Sequence, residues 1–262
     1  MAAAETPDAA GLASLLRWYV EMGVDVAVDE APHDRLAKPA TPQVVAPPET
    51  RRPATAASPA PLAADALVHS ARESAARATT LDELRDRLLA FDGCALKTTA
   101  TRLVFGDGVA GAKIMFVGEA PGADEDRTGV PFVGRAGQLL DRMLAAIGLL
   151  RSDVYIANVV PWRPPGNRTP TPHETAACLP FTQRQIELVA PKILVCLGNP
   201  ATQTLLGVKE GITRTRGRWM DYAAGGTTIR AMPTFHPAFL LRTPSQKRLV
   251  WADLREIAKA LR

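Results

Sequence analysis

The chain is poor in cysteine, with only Cys94, Cys178 and Cys196 among 262 residues. An odd count without paired spacing argues against the disulfide framework of a secreted protein and points to a cytosolic location. Long apolar runs are also missing. Nowhere do about 18 apolar residues follow one another without charge, and residues 1–7 carry no basic segment ahead of an apolar stretch with a cleavage site. No membrane role is expected. Internal repeats of the kind that build solenoids are absent too. Aromatics are few, at 5%, yet a hydrophobic content of 47% is ample for one real core in a chain of this length.

The formal net charge of +4 conceals a gradient. Residues 1–150 carry 15 Lys and Arg against 20 Asp and Glu, a balance of −5, whereas residues 151–262 carry 16 against 7, a balance of +9. Such a gradient suits a C-terminal half that faces phosphates, because Lys and Arg supply the sequence-independent part of nucleic-acid affinity. Arginines solvated on helix faces would give the same count.

Three regions are expected. Residues 8–22 read as an amphipathic helix with Leu12, Leu15, Leu16, Tyr19 and Val20 on one face, within an N-terminal segment 1–28. That helix is a candidate docking element for the main domain or for a partner protein. Residues 29–61 are rich in Pro, Ala and Thr, cannot bury enough apolar surface to order themselves, and read as an extended linker. Residues 62–262 read as the catalytic domain.

Within that domain Thr80-Leu81-Asp82-Glu83 forms a capping box that opens a helix to about residue 91. Strand patterns follow at residues 103–105, 114–117, 154–159, 193–198 and 229–234. Helices are expected over 136–149, from Thr171-Pro172-His173-Glu174 onward, and up to Leu206 with a stop at Gly207. The alternation predicts a three-layer α/β/α fold around a central parallel sheet of about four strands with right-handed crossovers.

The chemistry-bearing residues fall just past strand ends, where such sheets open onto their ligand crevice. Gly118-Glu119-Ala120-Pro121-Gly122-Ala123-Asp124-Glu125-Asp126 follows the first strong strand, Asn158 ends the next, and His236-Pro237-Ala238 follows the last. With Pro131-Phe132-Val133-Gly134-Arg135-Ala136-Gly137, Ile156-Ala157-Asn158-Val159-Val160, the Arg163-Pro164-Pro165-Gly166-Asn167-Arg168 loop and Arg216-Gly217-Arg218-Trp219, these runs match in order a known pattern. From about residue 91 to the C-terminus the chain resembles the family-4 uracil-DNA glycosylases.

The resemblance implies a base-flipping DNA repair enzyme that hydrolyses the N-glycosidic bond of uracil, acts on uracil-containing DNA as a monomer and leaves an abasic site. By that likeness Asn158 reads the uracil edge, Phe132 stacks on its face, and His236 donates to O2 as negative charge develops there. Glu119 supports the cationic sugar and aims a water. An Asn amide suits uracil because it offers both a donor and an acceptor, whereas cytosine presents the reverse pattern.

Further implied members of the site are Ala120 and Glu125 at the pocket wall, where Glu125 excludes the thymine methyl, and Asn167. Arg163 and Arg168 are expected to hold phosphates, as are Arg242, Lys247 and Arg248. Leu240 or Leu241 is the candidate wedge for the gap left by the flipped base. Each has a plainer reading: Glu119 bonded within its own loop, Glu125 and Asp126 as a solvated acidic pair, His236 as a turn histidine, and Leu240 or Leu241 as core.

Most members of the family bind a [4Fe-4S] cluster through four cysteines, and here Cys94 and Cys178 match the second and fourth. Phe91 and Trp162 stand at the other two places. Neither aromatic ligates iron, so no cluster is expected, with Phe91 and Trp162 filling its volume. Cys196 reads as a buried strand residue. Two other functions remain open on the sequence. One is a protein that traps uracil-DNA covalently, as a related group does through a His in an inserted basic loop; this chain has Asn167 near that place and His173 several residues late. The other is a non-catalytic module associated with replication or repair, a reading that makes a repair or replication protein the partner of the N-terminal helix.

Overall fold

The computed structural model describes residues 61–262. The helix expected over residues 8–22 and nearly all of the linker expected over 29–61 lie outside the described residues. Two helices, α1 (Pro61–Ala76) and α2 (Leu81–Ala90), and the short α3 (Leu96–Thr99) precede the first strand, β1 (Ile114–Gly118). There follow α4 (Ala123–Thr128), α5 (Arg135–Ala145), β2 (Tyr155–Asn158), α6 (Pro172–Val189), β3 (Ile193–Leu197), α7 (Asn199–Leu206) and α8 (Ile212–Thr215). The chain closes with β4 (Met220–Ala224), β5 (Thr227–Thr234), α9 (Pro237–Arg242) and α10 (Lys247–Leu261).

The strands form one sheet in the order β2-β1-β3-β5-β4. The inner pairs are parallel and in register, Gly118 opposite Asn158 and Val117 opposite Cys196 among them. Side chains alternate along each strand, so the sheet feeds two cores. Ile114 and Phe116 join Val195, Leu197 and Met232 under α5 and α10, through Leu140, Leu144, Val250, Leu254 and Ile257. Met115 and Val117 join Leu194 and Cys196 under α1, α2 and α6, through Ala71, Leu84, Phe181 and Ile186. Both faces are thus covered, as a parallel sheet requires.

The sheet keeps the expected parallel core of four strands and adds an edge strand. It has five strands, and β4 runs antiparallel to β5 across a turn at Gly225-Gly226, both with positive φ (51° and 88°). A two-residue Gly-Gly turn is a hairpin signal. The expected strand at residues 103–105 does not form; Val104 N–H donates to the Pro161 carbonyl at 2.9 Å, and just after the stretch Asp107 makes an isolated antiparallel bridge to Ile156 at the β2 edge. Capping is largely as read. Thr171 Oγ1 accepts the Glu174 N–H while Glu174 accepts the Thr171 N–H, a full box at the start of α6. At α2, Thr80 accepts the Glu83 N–H, but the Glu83 carboxylate turns back to the Thr79 N–H and hydroxyl.

A buried ion pair fixes the end of β5. Arg216, ahead of β4, donates to both carboxylate oxygens of Asp253 on α10, and Asp253 also accepts the Thr234 hydroxyl at 2.6 Å. Burial raises the Asp253 carboxyl, while Thr234 and Arg216 oppose that rise. Thr234 lies two residues before His236, so this network seats the strand end from which the imidazole projects.

Candidate active site

The carboxyl ends of β1, β2, β3 and β5 open into a cleft of about 690 Å³ lined by Glu119, Phe132, Asn158, Gly198 and His236. The parallel register makes this inevitable, since it sets Gly118 beside Asn158 and carries Leu197 level with Thr234. Three side chains far apart in sequence therefore share one crevice.

The floor is tightly fitted. Asn158 is buried, and its Oδ1 has no hydrogen-bond partner. A Cβ at Gly118 would lie 2.5 Å from that Oδ1 and 2.7 Å from Phe132 Cζ, so only a glycine lets the amide and the ring approach from their two directions. The Phe132 ring in turn lies 5.4 Å from the His236 imidazole, centroid to centroid, tilted by 32°. A buried amide oxygen left unpaired costs about 1–3 kcal/mol, which an incoming N–H donor would recover.

Glu119 is half-buried, and burial raises its carboxyl above the usual range, with the Thr169 side chain opposing through a hydrogen bond. Its Oε1 also lacks a partner. His236 caps α9: its Nδ1 accepts the Ala238 N–H at 3.1 Å. With Nδ1 committed as acceptor, the proton of the neutral ring resides on Nε2. Burial, helped by the Arg242 charge and opposed by Glu125, pushes the imidazole down to about 4, so it is a neutral donor near pH 7.

The other expected members are distributed unevenly. Ala120, Glu125 and Asn167 line the cleft. Glu125 is largely committed: one oxygen accepts the Val133 and Gly134 N–H groups, and the other accepts the Gly122 N–H. Asn167 is exposed and accepts Arg163 Nε at 2.7 Å. Arg168 reaches the cleft rim but forks onto Glu174 at 2.8 and 2.6 Å, which ties the loop to the start of α6. Arg242, at the end of α9, is exposed and lines the cleft, and Lys247 and Arg248 are exposed in the first turn of α10.

Of the two wedge candidates, Leu240 does not qualify. It is 1% exposed and packs in the core with Phe235 and Leu254, whereas Leu241 is 36% exposed. Gly118 was missed in the sequence reading because it stood within a motif whose side chains drew attention; a glycine closing a buried strand was the available signal.

The two cysteines that match cluster ligands lie together in the other core. The two thiols act on each other: Cys178 holds the Cys94 thiol below its ordinary value, and Cys94, with burial, raises that of Cys178. Phe91 and Trp162 are buried in the same cluster, Phe91 with its ring 5.1 Å from Phe181. These residues do not fit a four-thiolate site, and among the described residues no group of three His, Cys, Asp or Glu is arranged to hold a metal. Cys196 is buried in β3, with its thiol pushed up to about 12 by burial. No described helix is long and apolar enough to cross a membrane.

Comparison with known proteins agrees with this geometry. The family model of the uracil DNA glycosylase superfamily matches residues 105–255. A type-4 uracil-DNA glycosylase of Thermotoga maritima is 44% identical over 183 residues, 69% of this chain and 94% of that protein. Proteins of the same name from Archaeoglobus fulgidus (40% identical, 69% of this chain, 92% of the relative) and Sulfurisphaera tokodaii (39%, 68% and 83%) are also similar. A five-stranded, mostly parallel sheet, a cleft at its carboxyl edge holding an acid, an amide and an imidazole, and these matches lead to one assignment: the chain belongs to the uracil DNA glycosylase superfamily.

Proposed function

We propose that this protein is a monofunctional uracil-DNA glycosylase, which flips uracil from DNA and hydrolyses its N-glycosidic bond to begin base excision repair. The observation that carries the reading is the unpartnered Asn158 Oδ1 on the floor of the cleft, beside the Phe132 ring and the neutral His236. In this reading Oδ1 accepts uracil N3–H, the amide N–H₂ donates to O4, and Phe132 stacks on the base. Cytosine would set an acceptor against Oδ1 and a donor against the amide N–H₂. Sites built on such pairing reject the mismatched ligand by about 10⁴–10⁵-fold.

As the bond from C1′ to N1 breaks, its electron pair passes into the ring and onto O2, where the Nε2–H of His236 donates. A preorganised donor of this kind in a dry site contributes about 2.7–4 kcal/mol of barrier lowering. Glu119, ionised, lies opposite and favours the positive sugar; water then adds to C1′, and its proton passes to the carboxylate. Ala120 and Glu125 wall the side where the thymine methyl would sit. Leu241 fills the gap in the stack, while Arg242, Lys247 and Arg248 meet phosphates, together with Arg163.

No step calls on the corner where relatives are expected to carry a cluster. We read this chain as cluster-free, a reading supported by the two aromatic replacements. We also read it as a monomer, and as cytosolic, the latter supported by three unpaired thiols. Covalent trapping and a non-catalytic role are not favoured, since the full matches are to named glycosylases. The test is a glycosylase assay on U:G, U:A, single-stranded U and hypoxanthine oligonucleotides. Free uracil with alkali-sensitive abasic DNA is expected; a heat-stable protein–DNA adduct without free base would overturn the reading.

A further inference from the structure

Arg151 stands outside the cleft, in a 3₁₀ turn, Arg151–Asp153, ahead of β2. Its Nη2 donates to the Pro131 carbonyl at 2.5 Å and its Nη1 to the Phe132 carbonyl at 3.0 Å. The guanidinium is itself held by two carboxylates, Asp107 at 2.6 Å and Asp141 at 3.1 Å. One planar fork thus grips two consecutive carbonyls of the segment that carries the ring. That segment needs gripping: Phe132 has φ 53°, a left-handed conformation that is unfavourable for a bulky side chain and persists only where the surroundings impose it. On its far side the Phe132 carbonyl abuts α5 at Gly137, where a Cβ would come within 1.8 Å of the oxygen.

We propose that Arg151 is a positioning residue for base recognition, holding Phe132 in the left-handed backbone conformation that lays its ring into the cleft beside His236 and Asn158. The inference rests on the reading of Phe132 as the stacking surface. A lysine at 151 brings the charge but not the planar fork, so it cannot serve both carbonyls and both carboxylates at once. No sequence pattern marks this role, because the four partners come from three separate segments.

The test measures single-turnover uracil release and affinity for uracil-free DNA for Arg151→Lys and Arg151→Met, each alone and with Phe132→Ala. Expected losses in release rate are about 10–100-fold, the scale of a misplaced contact group, with affinity for uracil-free DNA unchanged. In the Phe132→Ala background the further loss should shrink to under about threefold, because residues acting through one another are not additive. Fully multiplicative losses would overturn the proposal. If Arg151→Met fails to fold, Arg151→Lys carries the same cycle.

A second readout does not depend on turnover. With 4-fluorophenylalanine placed at position 132 alone, Arg151→Lys should shift or broaden the fluorine resonance, and an unchanged resonance would overturn the clamp. A protein that releases no uracil but shows the shifted resonance would refute the glycosylase reading and leave the clamp standing.

Discussion

The Ala238 N–H donates to His236 Nδ1 at 3.1 Å, and this one bond decides what the imidazole can do. It leaves Nε2 as the only ring position for the proton of the neutral form and points to a hydrogen-bond donor, not a cation, at the leaving group.

The pH dependence of excision follows from that pairing. His236 stays neutral down to about 4, whereas the Glu119 carboxyl is raised above its ordinary value by burial. Activity requires ionised Glu119, so it should fall as pH drops through the Glu119 pKa, with no second step from His236 until about 4. Single-turnover rates from pH 4.5 to 8 check this, and Glu119→Gln should lower the rate and flatten the acid limb. Stability has its own sign. The His236 pKa is depressed in the folded state, so below the unfolded value near 6.5 the unfolded chain binds the extra proton, and stability declines as pH falls from there toward about 4.

Asn158→Ala should reduce uracil release by at least about 10³-fold, because the variant can no longer select a base by its edge. Binding to uracil-free DNA should persist. Loss of both together, with a lowered melting temperature, would assign Asn158 to folding instead.

Gly118→Ala tests the floor of the cleft. The added methyl meets Asn158 Oδ1 and Phe132 Cζ at distances no real contact allows. The expected result is a stability cost of about 1–3 kcal/mol, typical of overpacking. Release should fall about 100-fold as amide and ring are forced apart. Calorimetry and single-turnover kinetics on the same preparation separate the two effects.

Arg216→Met removes one partner of a buried pair and leaves Asp253 uncompensated, which costs about 3–5 kcal/mol. For a domain of this size that is a fall of roughly 6–20 °C in melting temperature. The companion Arg216→Met with Asp253→Leu should recover part of it, since two apolar groups in place of a buried ion pair are tolerated.

Iron quantification on anaerobically purified protein should give no stoichiometric metal. Cys94→Ala with Cys178→Ala should keep uracil release within about threefold of the parent, as expected for side chains remote from the chemistry. Stoichiometric iron lost in that variant would reverse the assignment.

The alternation of buried strands and amphipathic helices was legible in the chain, and so was the meeting of Glu119, Asn158 and His236 at one sheet edge, because each lies at or just past the end of a strongly patterned strand. Two kinds of feature were not. Strand β4 was missed because Asp221 and its alanines dilute the β pattern, even though Gly225-Gly226 announced the hairpin. The stretch at residues 103–105 has strand-like residues but meets a neighbouring backbone through the Val104 N–H to the Pro161 carbonyl and not along its length, so tertiary context overruled propensity. Leu240 and Leu241 are equivalent as letters, and only the phase of α9 sends the first into the core and the second outward. Arg168 was read as a free cation, yet Glu174, already needed to cap α6, captures it.

The aromatic corner formed by Phe91 and Trp162 has a bearing on how the protein matures. On the cluster-free reading proposed above, closure there relies on expelling solvent from ring surfaces, and the working fold would form directly after synthesis, without assembly factors. Chelators, which dismantle metal-clasped domains, should then leave this fold intact.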